Sequence, residues 1–489
     1  MIPYLVAFLA VAALLAWLWN ANRDPAICLV PPALAFSPLV RYAGEALGWP
    51  GAWLSARKAL VFVLGLSLAF RFLKADYTWR RIPGMAVIAP YLCLVLLSVL
   101  WSVLGPYNAD APAILDEFVD WALPVALFLY FAASPTSERT IASAERVMAF
   151  TVFTVAAYCA LQLLVLIGHD SVVPNSVIEL THEGEKDFWW GSFRLYGPFA
   201  SLGPNALGVF LLLPVAHAMI RCADTSGAAR LGWAFVSLIA IAVIVGSYSR
   251  GAELGLLGIG LTLPLVRQSI RGFGFVALVL VGMVTLLGGT AIGQHVRAIY
   301  SAGQLDPDVA GRLAIWREIL SELPDHLLGF GFDGWSRASQ HLIVVTGDPL
   351  IHVGAPFPAD SQWIRELADR GMPGILLLAV IMAGLIALVI RRARHQQASS
   401  HSHSFLTAAG AGLVGWSFTL FSGDNLALTV LAGMFWYVAG IALAAARDSS
   451  GSSGGVQRMS GSPLGPAQPG AVDRVAPQLH ISPAIEEHR

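Results

Sequence analysis

The chain has 489 residues, 56% of them hydrophobic and only 12% charged, with a mean hydropathy of +0.67. A soluble globular protein carries about 25% charged residues, and the apolar residues here arrive in blocks of roughly 17–25, the length that crosses a ~30 Å hydrocarbon core. A formal net charge of −1 excludes a basic field that would recruit nucleic acid, and the four cysteines lie in or beside apolar blocks, which excludes a disulfide scaffold or a cysteine zinc site in the long loop.

These blocks define an all-α polytopic membrane protein. They fall at 1–20, 26–40, 59–73, 84–104, 117–133, 147–168, 198–220, 231–248, 251–267, 272–290, 373–390, 404–422 and 425–446. Residues 1–20 lack a basic n-region and run into Trp17, Leu18 and Trp19 instead of a small-residue cleavage site, so they form an uncleaved helix. The second block is short and holds Pro31, Pro32 and Pro38, which fits a re-entrant piece as well as a span. The total is therefore about 12 spans, or 13 if that block crosses.

Lysine and arginine mark cytoplasmic loops. Arg71, Lys74, Arg80 and Arg81 follow the third block; Arg139 and Arg146 precede the sixth. Arg221 and Arg230, then Arg267 and Arg271, then Arg391, Arg392 and Arg394 occupy later loops, and every second loop from residue 71 onward is basic. The loops between, 105–116 and 423–424, hold acids and no base. This pattern places 169–197, the Ser249-Arg250 turn and 291–372 on the outer side.

The chain thus divides into an N-terminal transmembrane bundle (1–290), a large outer loop (291–372), C-terminal transmembrane helices (373–447) and a tail (448–489). The outer loop, at about 80 residues, is too long for a plain connector. Asp306-Pro307 starts a helix there, with Ala310, Leu313, Trp316, Ile319, Leu320 and Leu323 on one apolar face and Gly329 and Gly331 at its end. A second short helix is expected over 360–370, stopped by Gly371 and followed by Pro373 at the start of a span. The tail is rich in Ser, Gly and Pro, and its composition predicts disorder.

The candidate chemistry lies on the outer side. Arg250 sits between two apolar blocks with no room for a hydrated loop, and a cation at membrane depth costs roughly 2.5–3.5 kcal/mol unless an anion compensates it. Arg194, beside a span, and Arg312, on the loop helix, share that side. Three outward arginines suit a pyrophosphate, because guanidinium grips phosphate oxygens bidentately and keeps its charge. Interfacial anchoring and a solvated helix face are the plain alternatives for them. Asp360, with Ser361 beside it, is either a general base at the membrane surface or the N-cap of the short helix. His352 and His341 are further candidates for the base.

The residues resemble the O-antigen ligase and O-antigen polymerase superfamily of bacterial envelope glycosyltransferases. Four pieces carry the resemblance in order: Arg194-Leu195-Tyr196-Gly197-Pro198-Phe199 with Gly203-Pro204-Asn205-Ala206-Leu207-Gly208; Ser249-Arg250-Gly251-Ala252; Gly311-Arg312 through Trp316 with Leu328-Gly329-Phe330-Gly331; and Asp360-Ser361 with Gly371-Met372-Pro373-Gly374. The chain departs from the family at Asp360, which stands where a histidine usually does. An aspartate accepts a proton but cannot donate as a cation, and this turns the reading away from ligases towards a polymerase.

The resemblance implies a metal-independent transferase without cofactor, in the bacterial inner membrane with its active face periplasmic. Its partners would be a glycan donor on undecaprenyl pyrophosphate, a glycan or lipid-linked acceptor, and membrane lipids. Arg250, Arg312 and Asp360 would be catalytic; Arg194, Ser249, Ser361, His352 and Trp316 would bind substrate. Two alternatives stand beside a polymerase of exopolysaccharide or O-antigen: a ligase delivering finished glycan to lipid A core or protein, and a transporter. The second would place ionisable residues at mid-span, where only Asp120 and Glu253 come near.

Overall fold

The structure is a computed structural model that describes residues 25–46, 84–104, 110–134, 136–167, 173, 178, 194–267, 313, 316, 317, 320, 321, 326–334, 361–396 and 400–455. The helices are α1 (Pro25–Ala46), α2 (Met85–Leu104), α3 (Ala111–Ala133), α4 (Glu138–Leu166), α5 (Gly203–Asp224), α6 (Gly227–Gly246), α7 (Arg250–Arg267), α8 (Gln362–His395), α9 (His401–Thr419) and α10 (Thr429–Gly455), with a 3-10 turn at Gly197–Leu202 before α5. No strand occurs among the described residues. Among those residues, five helices are long and apolar enough to cross a bilayer: α4, α5, α6, α8 and the Thr429–Arg447 part of α10. The expected spans 1–20, 59–73 and 272–290 lie outside the described residues.

The block 26–40, equally readable as a re-entrant piece, is one continuous helix of 22 residues. Two of its prolines are tolerated because the carbonyls they orphan find other donors. A proline has no N–H, so residue i−4 loses its helical partner. Pro31 frees the Ile27 carbonyl, which accepts from the Tyr437 hydroxyl at 2.8 Å. Pro38 frees that of Leu34, which accepts from Ser37 Oγ at 3.0 Å. The same rule holds in α3, where Pro124 frees the Asp120 carbonyl and Thr429 Oγ1 donates to it at 3.3 Å. In lipid such compensation is obligatory, since no water reaches an orphaned carbonyl.

Burial separates the centre of the bundle from its rim. The apolar windows of α10 and α5 are 94% and 78% buried, against 28% for α6, which exposes Leu231, Phe235 and Leu238. An apolar face left bare in this way suits lipid. Aromatic rings pack the centre: Phe128 against Trp436 and Phe131 against Tyr437, each at 5.0 Å, and Trp416 against Phe435 at 4.6 Å. Glycines bring α7 and α9 into near backbone contact. A Cβ on Gly255 would lie 2.9 Å from the Gly415 carbonyl oxygen, and one on Gly258 3.1 Å from Gly415 Cα.

The expected 360–370 helix and the following span are joined in α8. Gly371 takes φ +64°, ψ −159°, a conformation essentially confined to glycine, and Pro373 opens the second half. The N-cap is Ser361, not Asp360. Of the helix expected at 306–323, residues 313, 316, 317, 320 and 321 are described and are helical. The tail departs from expectation at its start, because α10 continues helical through Gly455. The chain divides into a unit 1–449 and a short unit 450–489.

Two sets of loops gather at opposite ends of the bundle. At one end Glu145 of α4 meets Arg221 of α5 (3.4 Å) and His401 of α9 (3.2 Å), and Ser404 Oγ donates to Asp224. Arg447 donates there to the Ala132 and Ser134 carbonyls. At the other end lie the start of α5, the α6–α7 turn, the start of α8 and the 420–426 turn after α9. Of the loops compared in the sequence, the described one between Arg221 and Arg230 lies at the first end and the base-poor 423–424 turn at the other.

Candidate functional site

The α6–α7 corner is a three-residue turn, Ser247-Tyr248-Ser249, in which Tyr248 adopts φ +47°. A bulky side chain is uncommon in that left-handed region, so the surroundings must hold it there. Arg194 does so: its Nε donates to the Ser247 carbonyl at 3.2 Å and its Nη2 to that of Tyr248 at 3.1 Å. The Leu195 N–H adds a bond to the Gly246 carbonyl at 2.9 Å. Arg194 thereby clamps the turn that presents Arg250, which is exposed at the first position of α7. The charges of Arg250 and Arg194 both act on Glu253 one turn later.

Ser249 is buried and caps α7. Its Oγ accepts from the Ala252 N–H at 3.3 Å and donates to Asn205 Oδ1 at 2.6 Å. The Asn205 amide donates in turn to Asn425 Oδ1 at 3.3 Å, and Asn425 donates to Thr419 Oγ1 at 2.8 Å. Space is tight throughout this chain of bonds. A Cβ on Gly208 would come within 2.6 Å of Ala252 Cβ, and one on Gly251 would collide with Ser422 Oγ. The glycines of the two motifs therefore allow α5, α7 and the 420–426 turn to meet.

From the other side the same turn receives α8. Ser361 Oγ donates to the Leu420 carbonyl at 3.3 Å, and the Gln362 N–H donates to the Leu420 and Gly423 carbonyls at 2.8 and 3.1 Å. Gln362 Oε1 accepts from the Leu426 N–H at 3.0 Å. Arg365 then engages three carboxylates: Asp424 at 3.0 Å, Asp333 at 3.4 Å and Asp369 at 3.7 Å. One turn on, the buried pair Arg370–Glu366 closes at 2.6 Å, and Glu366 also accepts from the Tyr91 hydroxyl at 2.8 Å. The Arg370 guanidinium lies 5.6 Å from the ring centroids of both Tyr91 and Phe332.

The Gly329-Phe330-Gly331-Phe332 segment is fixed between α2 and α8. The Phe330 N–H donates to the Ala368 carbonyl at 2.7 Å, the Phe332 N–H to that of Ser98 at 3.0 Å, and the Met372 N–H to that of Leu327 at 3.2 Å. Gly331 is pressed against Ser102, whose Oγ donates to the Phe332 carbonyl at 2.9 Å.

The described parts of three sequence motifs thus converge directly on the 420–426 turn, and the fourth reaches it through Asp333 and Arg365. Arg194, Ser249 and Arg250 come together, and Ser361 joins them through the turn. Trp316 is half-buried on its helix. Arg312, His352 and Asp360 lie outside the described residues. Sequence reasoning missed Asn205, Asn425, Asp424 and the Arg365–Arg370 network. The i,i+4 pairing of Arg365 with Asp369 and of Glu366 with Arg370 was the available signal for the network. Among the described residues, no group of three His, Cys, Asp or Glu side chains is arranged to hold a metal ion.

No curated protein matches the chain in sequence. A family model described as O-antigen ligase matches residues 235–379, a segment that runs from α6 through the Ser249-Arg250 turn to the middle of α8. Arg194, Asn205 and the 420–426 turn lie outside that segment yet bond to its α6–α7 turn and to Ser361 at the start of α8. Residues 235–379 are thus similar to the O-antigen ligase family, in a membrane bundle whose motifs gather at one end.

Proposed function

We propose that this chain is a membrane glycosyltransferase that polymerises repeat units carried on undecaprenyl pyrophosphate, on the periplasmic face of the inner membrane. The observation that carries the reading is the clamped corner at which Arg194 and Arg250 put two permanent positive charges beside the Ser249 cap. Cations held on a rigid corner stabilise a pyrophosphate leaving group better than mobile ones, because less reorganisation is needed as its charge develops. In the reaction the acceptor hydroxyl oxygen bonds to the anomeric carbon as the bond from that carbon to the pyrophosphate oxygen breaks. Arg250, with Arg194 behind it and Arg312 from the outer loop, receives the charge that develops on the pyrophosphate. The hydroxyl proton passes to the Asp360 carboxylate, whose neighbour Ser361 is tethered to the same turn. His352 and Trp316 complete the substrate contacts.

A ligase is the second reading, favoured by the description of the matched family. The two differ in the acceptor, so a glycan profile separates them. A deletion strain complemented with wild type, Arg250→Ala or Asp360→Ala is the test. Single repeat units in place of long polymer, restored by wild type and not by Arg250→Ala, is the expected result. Full-length polymer stranded on the carrier lipid would make it a ligase. Normal polymer from a stably produced Arg250→Ala protein would remove the arginine from the chemistry.

A further inference from the structure

At the end of the bundle opposite the arginine corner, positive charge outruns the carboxylates that meet it. The acids there are taken. Glu138 accepts from the Ser402 N–H at 3.2 Å and from its Oγ at 2.6 Å, Glu145 meets Arg221 and His401, and Asp224 accepts from Ser404. Arg230 and Arg447 donate to backbone carbonyls. The guanidiniums of Arg139, Arg146, Arg391, Arg392 and Arg394 make no hydrogen bond or ion pair among the described residues, and all but Arg392 are fully exposed.

The helix dipole accounts for only part of this set. It favours Arg392 and Arg394 in the last turn of α8, but it disfavours a cation such as Arg139 in the first turn of α4. The start of α9 ties these two helix ends together. Ser402 bonds to Glu138, and the next residue, His403, donates from Nδ1 to the Ala393 carbonyl at 2.9 Å, which fixes the last turn of α8. The lipid-facing side of α8 leads into the patch. Leu376, Val380, Ala383 and Ala387 are exposed at helical spacing, and Arg391 and Arg394 continue the same stripe. From Val380 to Arg391 the helix rises about 16 Å, close to the ~15 Å of hydrocarbon in one leaflet.

We infer that the end of α8 binds the headgroup of an anionic phospholipid through Arg391 and Arg394, with the acyl chains along the exposed face of the helix. Guanidinium takes phosphate oxygens in pairs and keeps its charge. A zwitterionic lipid brings its own cation beside the phosphate, and a patch with unpaired arginines on both α4 and α8 repels that cation. The occupant is therefore a lipid with net negative charge. Nothing in this inference depends on the reaction assigned to the other end.

The test uses the full-length protein in detergent micelles, with phosphatidylglycerol or phosphatidylcholine of the same acyl chains added, and native mass spectrometry to read bound lipid. Wild type should hold phosphatidylglycerol about tenfold more tightly, the scale expected of one or two arginines against an anionic headgroup. Arg391→Gln with Arg394→Gln keeps helix-forming side chains at exposed positions and should abolish the preference. Arg230→Gln, on α6 at the same end, controls for diffuse charge and should leave the preference intact. Equal binding of the two lipids by wild type would overturn the site and leave the face to another occupant, such as the chain's own tail. A preference that survives the α8 double variant, or falls as far in Arg230→Gln, would overturn it as well.

Discussion

Arg194 illustrates how a residue's chemistry and its place can point to different tasks. Guanidinium chemistry predicts an anion binder. The structure also gives it a backbone task, because two of its nitrogens hold the carbonyls of a turn whose middle residue, Tyr248, sits at φ +47°. Lysine carries the same charge but has no planar fork to reach two fixed carbonyls at once. We therefore expect Arg194→Lys to lower polymer output about tenfold at unchanged protein level, as the Arg250 corner loosens. Glycine adopts the left-handed region without steric cost, so Tyr248→Gly should recover part of that loss in the Arg194→Lys background. Polymer yield per unit of membrane protein measures both, and an Arg194→Lys protein with wild-type yield would leave the clamp without a functional role. Arg250 and Ser249 were legible as residues because a cation between two apolar blocks is conspicuous. Asn205 and Asn425 were not, because an amide in a Gly/Pro-rich stretch looks like any turn residue until its partner, 220 positions away, is known.

At the scale of elements, the join within α8 shows most clearly what sequence punctuation conveys. Gly371 followed by Pro373 marks the end of one helix and the beginning of another, and the backbone does break there. What the sequence conceals is the reason for the glycine: a Cβ at 371 would run into the Leu327 carbonyl oxygen, in a part of conformational space that L-residues avoid. Gly371→Ala should thus cost about 3 kcal/mol or more, combining strain with a backbone clash. Gly384 lies on the same helix with open space around its Cα, and there alanine should be neutral or stabilise by up to about 1 kcal/mol. Thermal unfolding in detergent compares the two, and equal behaviour would refute the role assigned to the break. The prolines of α1 teach the converse. Their number left a re-entrant piece and a span equally open, and the donors that make a continuous helix possible come partly from α10, about 400 residues later, where no local pattern reveals them.

For the whole molecule, the alternation of basic and base-poor loops was the sequence signal with the longest reach, and among the described loops those holding Arg221 and Asp424 do lie at different ends of the bundle. The Glu145, Arg221 and His401 contacts mark one end, and the 420–426 turn with everything docked on it marks the other. What composition does not supply is the convergence itself, because a loop's sign says which end it occupies and not which neighbours it touches there. On the proposed reading, the bias of lysine and arginine towards the cytoplasm would put the Glu145 end inward and the Arg250 end outward. Cysteine accessibility reads this out directly. In a background with Cys28, Cys93, Cys159 and Cys222 replaced, single cysteines would be placed at Phe421, exposed within the 420–426 turn, and at His395, exposed at the last position of α8. A membrane-impermeant maleimide added to intact spheroplasts should label Phe421→Cys at once and His395→Cys only after permeabilisation. The opposite pattern would place the arginine corner in the cytoplasm, where a carrier-linked glycan already moved across the membrane could not reach it. The polymerase and ligase readings would then fall together, while the fold and the family would be untouched.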